Sequence, residues 1–259
     1  MRKGHAGGLG GIQRDLDAPT VVIVHGAWVN ATDWREVIAR LQVKGLNVIA
    51  VQNPLSSLAD DVDAVTRAIN HQSNPIVMVG QGYGGTVITQ AGNHPRVAAL
   101  VYVAAFAPDA GDSTTDAQKG YPPPPCVAGF EVDAGGFLYL APDAVPEFLA
   151  QDLPAADNRI LAAVQKPIRA SALLDRVTTA AWRTKRSWYV AADEDRMISL
   201  ALQRRIAKRI NATVCILHSG HLPFLSKPKE TADAILAAVD FVRGACQTDE
   251  SIAVPRDGA

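Results

Sequence analysis

Six short runs, each mostly apolar and most followed by a helix-like stretch, constrain this chain more than any other feature. They are Val21–Val24, Leu46–Val51, Ile76–Val79, Leu100–Ala104, Ser187–Ala191 and Thr213–Leu217. A half-exposed strand alternates apolar and polar residues; runs that are apolar on both faces belong to strands covered on both sides. Between the runs, Trp34, Val37, Ile38 and Leu41 recur at helical spacing, as do Leu58, Val62, Val65 and Ile69. Asp33 reads as the N-cap of the first helix, with Glu36 at the capping-box position and Gly45 closing it. Ser57 and Asp60 open the second helix. A last helix over about 229–242 turns Ile235, Leu236, Val239 and Val242 inward. Strands and helices in this alternation build a mostly parallel, six-stranded, doubly wound α/β sheet.

One stretch breaks the rhythm. From Asp109 to about Thr184 no clear strand is evident, the segment contains Pro122–Pro125, and helical patches such as 160–164 and 170–174 appear within it. A connection this long is a functional lid or an insertion. Ligands in open α/β sheets bind at the carboxyl ends of the strands, so 109–184 reads as a helical cap over that edge. The expected division is a flexible segment over 1–18, a core over 19–108 and 185–243, a cap over 109–184 and a flexible tail over 244–259.

Composition narrows the partners. With 25 basic and 26 acidic residues the formal net charge is -1, and nothing here would neutralise a phosphate backbone, so nucleic acid is not expected. No run reaches the roughly 18 apolar residues that a membrane span requires, and the basic N-terminus lacks the apolar core of a signal peptide. A cytoplasmic location is the expectation, and a homodimer remains open. Cys126, Cys215 and Cys246 are odd in number and widely spaced, which does not fit a disulfide framework. Cys215, inside an apolar run, reads as a buried small hydrophobe. No cofactor or metal is implied. His218 and His221 could form a metal pair, but no third ligand accompanies them.

Four places carry chemistry. His25-Gly26-Ala27-Trp28 follows the first strand, where a loop can offer a backbone N–H to a developing oxyanion. Gly80-Gln81-Gly82-Tyr83-Gly84 follows the third strand. It has the form of the G-x-S-x-G nucleophile elbow, with glycine at the serine position. A dinucleotide-binding turn would instead follow the first strand, with an acid about 20 residues on, and Pro95–Ala104 offers none. Asp193 and Asp195, just past the fifth strand, both qualify by position as an acid; Asp193 also reads as a solvated turn residue. His221 lies on a short loop after the last strand, where a base belongs.

These elements appear in the chain order of α/β-hydrolases. The sequence resembles the bacterial, esterase-like branch of α/β-hydrolases related to plant hydroxynitrile lyases and methyl-ester hydrolases. The matching stretches are VVIVHGAW, VMVGQGYGG, SWYVAADEDRMI and SGHLPFLSKP, so the resemblance covers nearly the whole chain. It implies an α/β-hydrolase fold with a helical cap. The family places its acid just before arginine, which selects Asp195 over Asp193. His221 becomes the base, Ala27 and Tyr83 the oxyanion-hole donors, and Trp28, Gln81 and Phe106 substrate-binding residues. The lyases carry lysine after the histidine, where this chain has Leu222, so cyanohydrin cleavage is not implied. The branches with an aspartate nucleophile are excluded by Gly82.

Glycine offers no nucleophile, so no acyl-enzyme can form at position 82. Three readings follow: a serine ester hydrolase whose serine has been replaced, an enzyme in which His221 acts as general base on water or substrate, and a ligand-binding homologue without chemistry. In each the partner is a small molecule, and for the first it is an ester. The cap aromatics Phe130, Phe137, Tyr139 and Phe148, with Phe106, imply an apolar group on it.

Overall fold

The computed structural model describes residues 18–250, so apart from Ala18 the expected flexible N-terminal segment lies outside the described residues. The elements run β1 (Thr20–Val24), α1 (Arg35–Val43), β2 (Val48–Val51), α2 (Leu58–Asn70), β3 (Ile76–Gly82), α3 (Gly84–Ala91) and β4 (Val97–Ala105). Next come α4 (Thr114–Ala117), β5 (Phe130–Val132), β6 (Phe137–Leu140), α5 (Ala155–Val164) and β7 (Ile168–Arg169). The chain closes with β8 (Arg186–Ala192), α6 (Leu200–Arg209), β9 (Thr213–Leu217), α7 (Pro223–Ser226) and α8 (Pro228–Glu250).

The six expected strands form one sheet in the order β2-β1-β3-β4-β8-β9, and every pairing in it is parallel. Val21 to Val24 and Ile76 to Val79 are wholly buried, as double coverage by helices requires. Each such side chain contributes roughly 1.5–3 kcal/mol relative to leaving it in water, which is why the centre of the sheet reads so clearly in sequence.

The edges read less well. In β9, Thr213 to Ile216 are exposed, with Val214 at 46% and Ile216 at 45%. Cys215 is therefore exposed, not the buried hydrophobe its neighbours implied. Periodicity marks an apolar strand but cannot tell a central strand from an edge one.

The first helical cap also lies earlier than expected. Asn30 is the N-cap of a 3-10 turn over Ala31–Trp34, and Asp33 is its capping-box partner, accepting from the Asn30 N–H at 2.8 Å. Ser57 caps α2 as expected. Gly45, past the end of α1, has φ +81°. The segment after Gly244 is helical to Glu250, where a flexible tail was expected; residues 251–259 lie outside the described residues.

The insertion between β4 and β8 holds more than helices. β5, β6 and β7 form a small antiparallel sheet beside α4 and α5. These strands are two to four residues long. So short a run shows no periodicity, which is why none of them reads as a strand in the sequence.

Candidate active site

β3 runs straight into the turn and ends at Gly82, whose φ is +54°. An L residue in this left-handed region costs roughly 1–2 kcal/mol. α3 starts two residues on, packed so closely beneath β1 that a Cβ on Gly84 would fall on the Val24 carbonyl and 2.9 Å from that of His25. This tight strand-to-helix turn is the geometry of a nucleophile elbow.

The loop after β1 meets the turn from one side. His25 is buried; its Nε2 accepts the Asn53 N–H at 3.0 Å, and its Nδ1 donates to the Gly26 carbonyl at 2.8 Å. Burial pushes its pKa down to about 4, so it is a neutral strut. Trp28 takes φ +63°; its backbone N–H donates to the Lys166 carbonyl at 2.8 Å and its indole N–H to the Leu138 carbonyl at 3.2 Å. The indole also stacks on Phe130, with centroids 5.2 Å apart. The loop is thereby tied to the cap. Ala27 and Tyr83 both border the space above Gly82, and among the described residues neither backbone N–H is bonded to another group of the chain.

The loops after β8 and β9 close the other side. The Asp195 side chain is fully buried. Its Oδ1 accepts the N–H groups of Met197 and Ile198 at 2.7 and 2.9 Å. Its Oδ2 accepts Gln203 Nε2 at 3.0 Å and lies 2.8 Å from His221 Nδ1. The other ring nitrogen of His221 faces the turn, where a Cβ at position 82 would stand 3.3 Å from Nε2. Asp193 instead sits beside His218, 3.2 Å from its Nδ1, on the surface. His218 and His221 thus serve different partners.

The chain matches the sequence profile of the alpha/beta hydrolase family over residues 21–234. The chain belongs to the alpha/beta hydrolase family. An alpha/beta hydrolase of Aspergillus novofumigatus is 26% identical over 234 residues, covering 81% of this chain and 92% of that one. A carbendazim hydrolyzing esterase of Nocardioides is 30% identical over 136 residues, covering 47% of this chain and 55% of that one. Polyneuridine aldehyde esterase has the same fold, with a TM-score of 0.76 at 18% identity over 85% of this chain and 98% of that one.

In this alpha/beta hydrolase a cavity of about 210 Å³ opens above Gly82 and His221. Trp28, Phe106 and Phe130 line it, so two of the expected substrate-binding residues and one cap aromatic reach it. Gln81 does not. It is fully buried, and its amide is taken up by the groups around the turn. Its Oε1 accepts the Gly26 N–H at 3.1 Å, and its Nε2 stands 2.9 Å from His221 Nε2. Phe137, Tyr139 and Phe148 also stay off the cavity wall.

The cap adds wall residues that sequence reasoning missed, among them Thr114, Thr115, Gln118, Cys126 and Leu173. Burial, with Asp195 nearby, pushes the Cys126 thiol up to about 12, so it lines the wall as an apolar group. No sequence signal identified these residues. Behind the turn, Asp61 accepts the Leu55 N–H at 2.8 Å, and burial pushes its carboxyl up to about 6. The Tyr83 hydroxyl sits beside that carboxyl, yet neither it nor Asp61 Oδ2 completes a well-formed hydrogen bond. Among the described residues no helix is long and apolar enough to cross a membrane.

Proposed function

We propose that this chain is an ester hydrolase of the serine type in which the nucleophile position is held by Gly82. The observation that carries this reading is the line from Asp195 Oδ2 through His221 to position 82: 2.8 Å on one side of the ring, and 3.3 Å from Nε2 to the site of a Cβ on the other. A hydroxyl on that Cβ would lie within reach of Nε2, in the relation nucleophile and base require.

With serine at 82, the chemistry follows. Oγ attacks the ester carbonyl carbon while its proton passes to His221 Nε2. The carbonyl oxygen becomes an oxyanion facing the N–H groups of Ala27 and Tyr83. The bond from carbon to the alcohol oxygen then breaks, and the alcohol leaves with the proton from Nε2. Water repeats the sequence on the acyl-enzyme. Asp195 keeps the proton of the neutral ring on Nδ1 and stabilises the imidazolium that forms.

With glycine at 82 the first step has no nucleophile. The remaining groups bind an ester and retain a residual acceleration of roughly 10³–10⁴ over water. The cavity's size and apolar walls favour a small ester with an apolar acyl or alcohol group, and the esterase names among the relatives accord with this. Activation of a water by His221 is less favoured, because the Gln81 amide already stands at Nε2.

The test is Gly82→Ser on a panel of short aryl esters, with fluorophosphonate labelling of the new serine as a second readout. Hydrolysis should rise by orders of magnitude over the unaltered chain, since nucleophile and base act as one unit. His221→Ala in that background should remove the gain. A folded Gly82→Ser chain that is inert on every ester and does not label would overturn the reading.

A further inference from the structure

Gln81 has no part in the scheme above, yet it is fully buried and both ends of its amide are engaged. Its orientation follows from its neighbours. The Gly26 N–H is a donor and requires Oε1, so the NH2 group must face His221. The protonation of His221 follows in the same way. Nδ1 faces Asp195 Oδ2, an acceptor that already takes a hydrogen bond from Gln203, so Nδ1 carries the hydrogen. Nε2 of the neutral ring then presents a lone pair, and the Gln81 N–H donates to it at 2.9 Å.

We infer that Gln81 is a positioning residue that supplies His221 Nε2 with the hydrogen bond a serine hydroxyl at position 82 would make. It holds the ring over the turn and links it, through Gly26, to the loop that carries Ala27. It also occupies the lone pair a base must use, and a carboxamide N–H is far too weak an acid to pass its proton on. Gln81 and Gly82 therefore form a coupled pair: one residue lacks the nucleophile and its neighbour keeps the base engaged. The inference rests on the reading of His221 and Asp195 as base and acid. A hydroxyl introduced at 82 meets an Nε2 that already has a donor, so Gly82→Ser alone recovers only part of the activity.

The first measurement uses the unaltered chain and needs no activity. In a 15N-labelled sample, Gln81 Nε2 should show a scalar coupling to His221 Nε2 across the hydrogen bond. Gln81→Ala, which leaves room for a water at the Gly26 N–H, should shift the His221 Nε2 resonance while Nδ1 stays bonded to Asp195. The second measurement compares Gly82→Ser with Gly82→Ser/Gln81→Ala, and with Gly82→Ser/Gln81→Met should the alanine chain fail to fold. The double variant should acylate with fluorophosphonate and turn over p-nitrophenyl acetate about tenfold faster, in kcat and not in KM. Absence of the coupling, an unmoved Nε2 resonance, or a folded double variant no faster than an active Gly82→Ser overturns the inference. If every serine chain is inert while the coupling is present, the hydrolase reading falls and the placement of Gln81 on Nε2 stands.

Discussion

Two buried titratable groups brace the turn and the loop beside it, and they pull stability in opposite directions as pH changes. His25 has its pKa pushed from 6.5 down to about 4 by burial. Its unfolded form binds the proton first, so its contribution is full above pH 6.5 and is lost as pH falls toward 4, about 3 kcal/mol in all. Asp61 has its pKa pushed from 3.8 up to about 6 by burial, against the pull of the Leu55 N–H, Tyr83 and Lys166. Here the folded form binds the proton first, so stability is regained as pH falls from 6 toward 3.8, again about 3 kcal/mol. At pH 5 the imidazole accounts for about 2 kcal/mol lost and the carboxyl for about 1 kcal/mol regained, relative to pH 8. The perturbation that exposes this balance is Asp61→Asn, which keeps an acceptor for the Leu55 N–H and removes the titration. The assay is urea unfolding of both chains at pH 8 and pH 5. Asp61→Asn should be the more stable chain at pH 8, and its advantage should shrink by about 1 kcal/mol at pH 5. Because other groups titrate identically in both chains, only the difference is read. Parallel pH dependence of the two chains would refute the assignment of a raised carboxyl at Asp61.

Three further outcomes are expected. Gly82→Ser should cost about 1–2 kcal/mol, because its φ of +54° strains any residue with a Cβ, and thermal unfolding should show a drop of a few degrees. Asp195→Asn in the Gly82→Ser background should lower kcat on the order of 10⁴-fold by favouring the wrong tautomer of His221, while equilibrium binding of an uncleaved ester analogue stays unchanged. Trp28→Ala removes the indole bond to Leu138 and the stack on Phe130, with a loss of about 3–5 kcal/mol typical of a buried aromatic; limited proteolysis should then cut first within 130–140.

The sheet was legible because its central strands are buried on both faces, and β1 and β3 carry no polar interruption before their turns. The edge strand β9 misled, since Val214, Cys215 and Ile216 look like core residues and face solvent. Position after an apolar strand put His221, Asp193 and Asp195 in view, and the resemblance, which places the acid just before arginine, selected Asp195. Gln81 did not read correctly. The resemblance implied substrate contact, and only the structure, in which Gly26 and His221 take up its amide, puts it off the cavity wall. The cavity wall was least legible, because Thr114, Gln118 and Leu173 reach it from helical segments of one or two turns that are too short to show a period.

The backbone of Gly82 accepts the Phe106 N–H at 3.1 Å, but the bonds that fix the Asp195–His221 pair and the loop bearing Ala27 need no side chain at position 82. Asp195 is fixed by two backbone N–H groups and by Gln203, and in turn fixes His221. The loop bearing Ala27 is held by His25 on Asn53, by Gly26 on Gln81 and by Trp28 on the cap. A serine hydroxyl at 82 would add one hydrogen bond to this frame and would strain the backbone at the turn. Removing it therefore abolishes the nucleophile while leaving the frame intact and the turn relaxed. The one group such a removal would leave unsatisfied is the lone pair of a buried imidazole, and an unpaired buried acceptor costs about 1–3 kcal/mol. On the reading proposed above, the Gln81 amide meets that need from within the chain, so the pair Gln81-Gly82 keeps the pocket formed although position 82 offers no nucleophile.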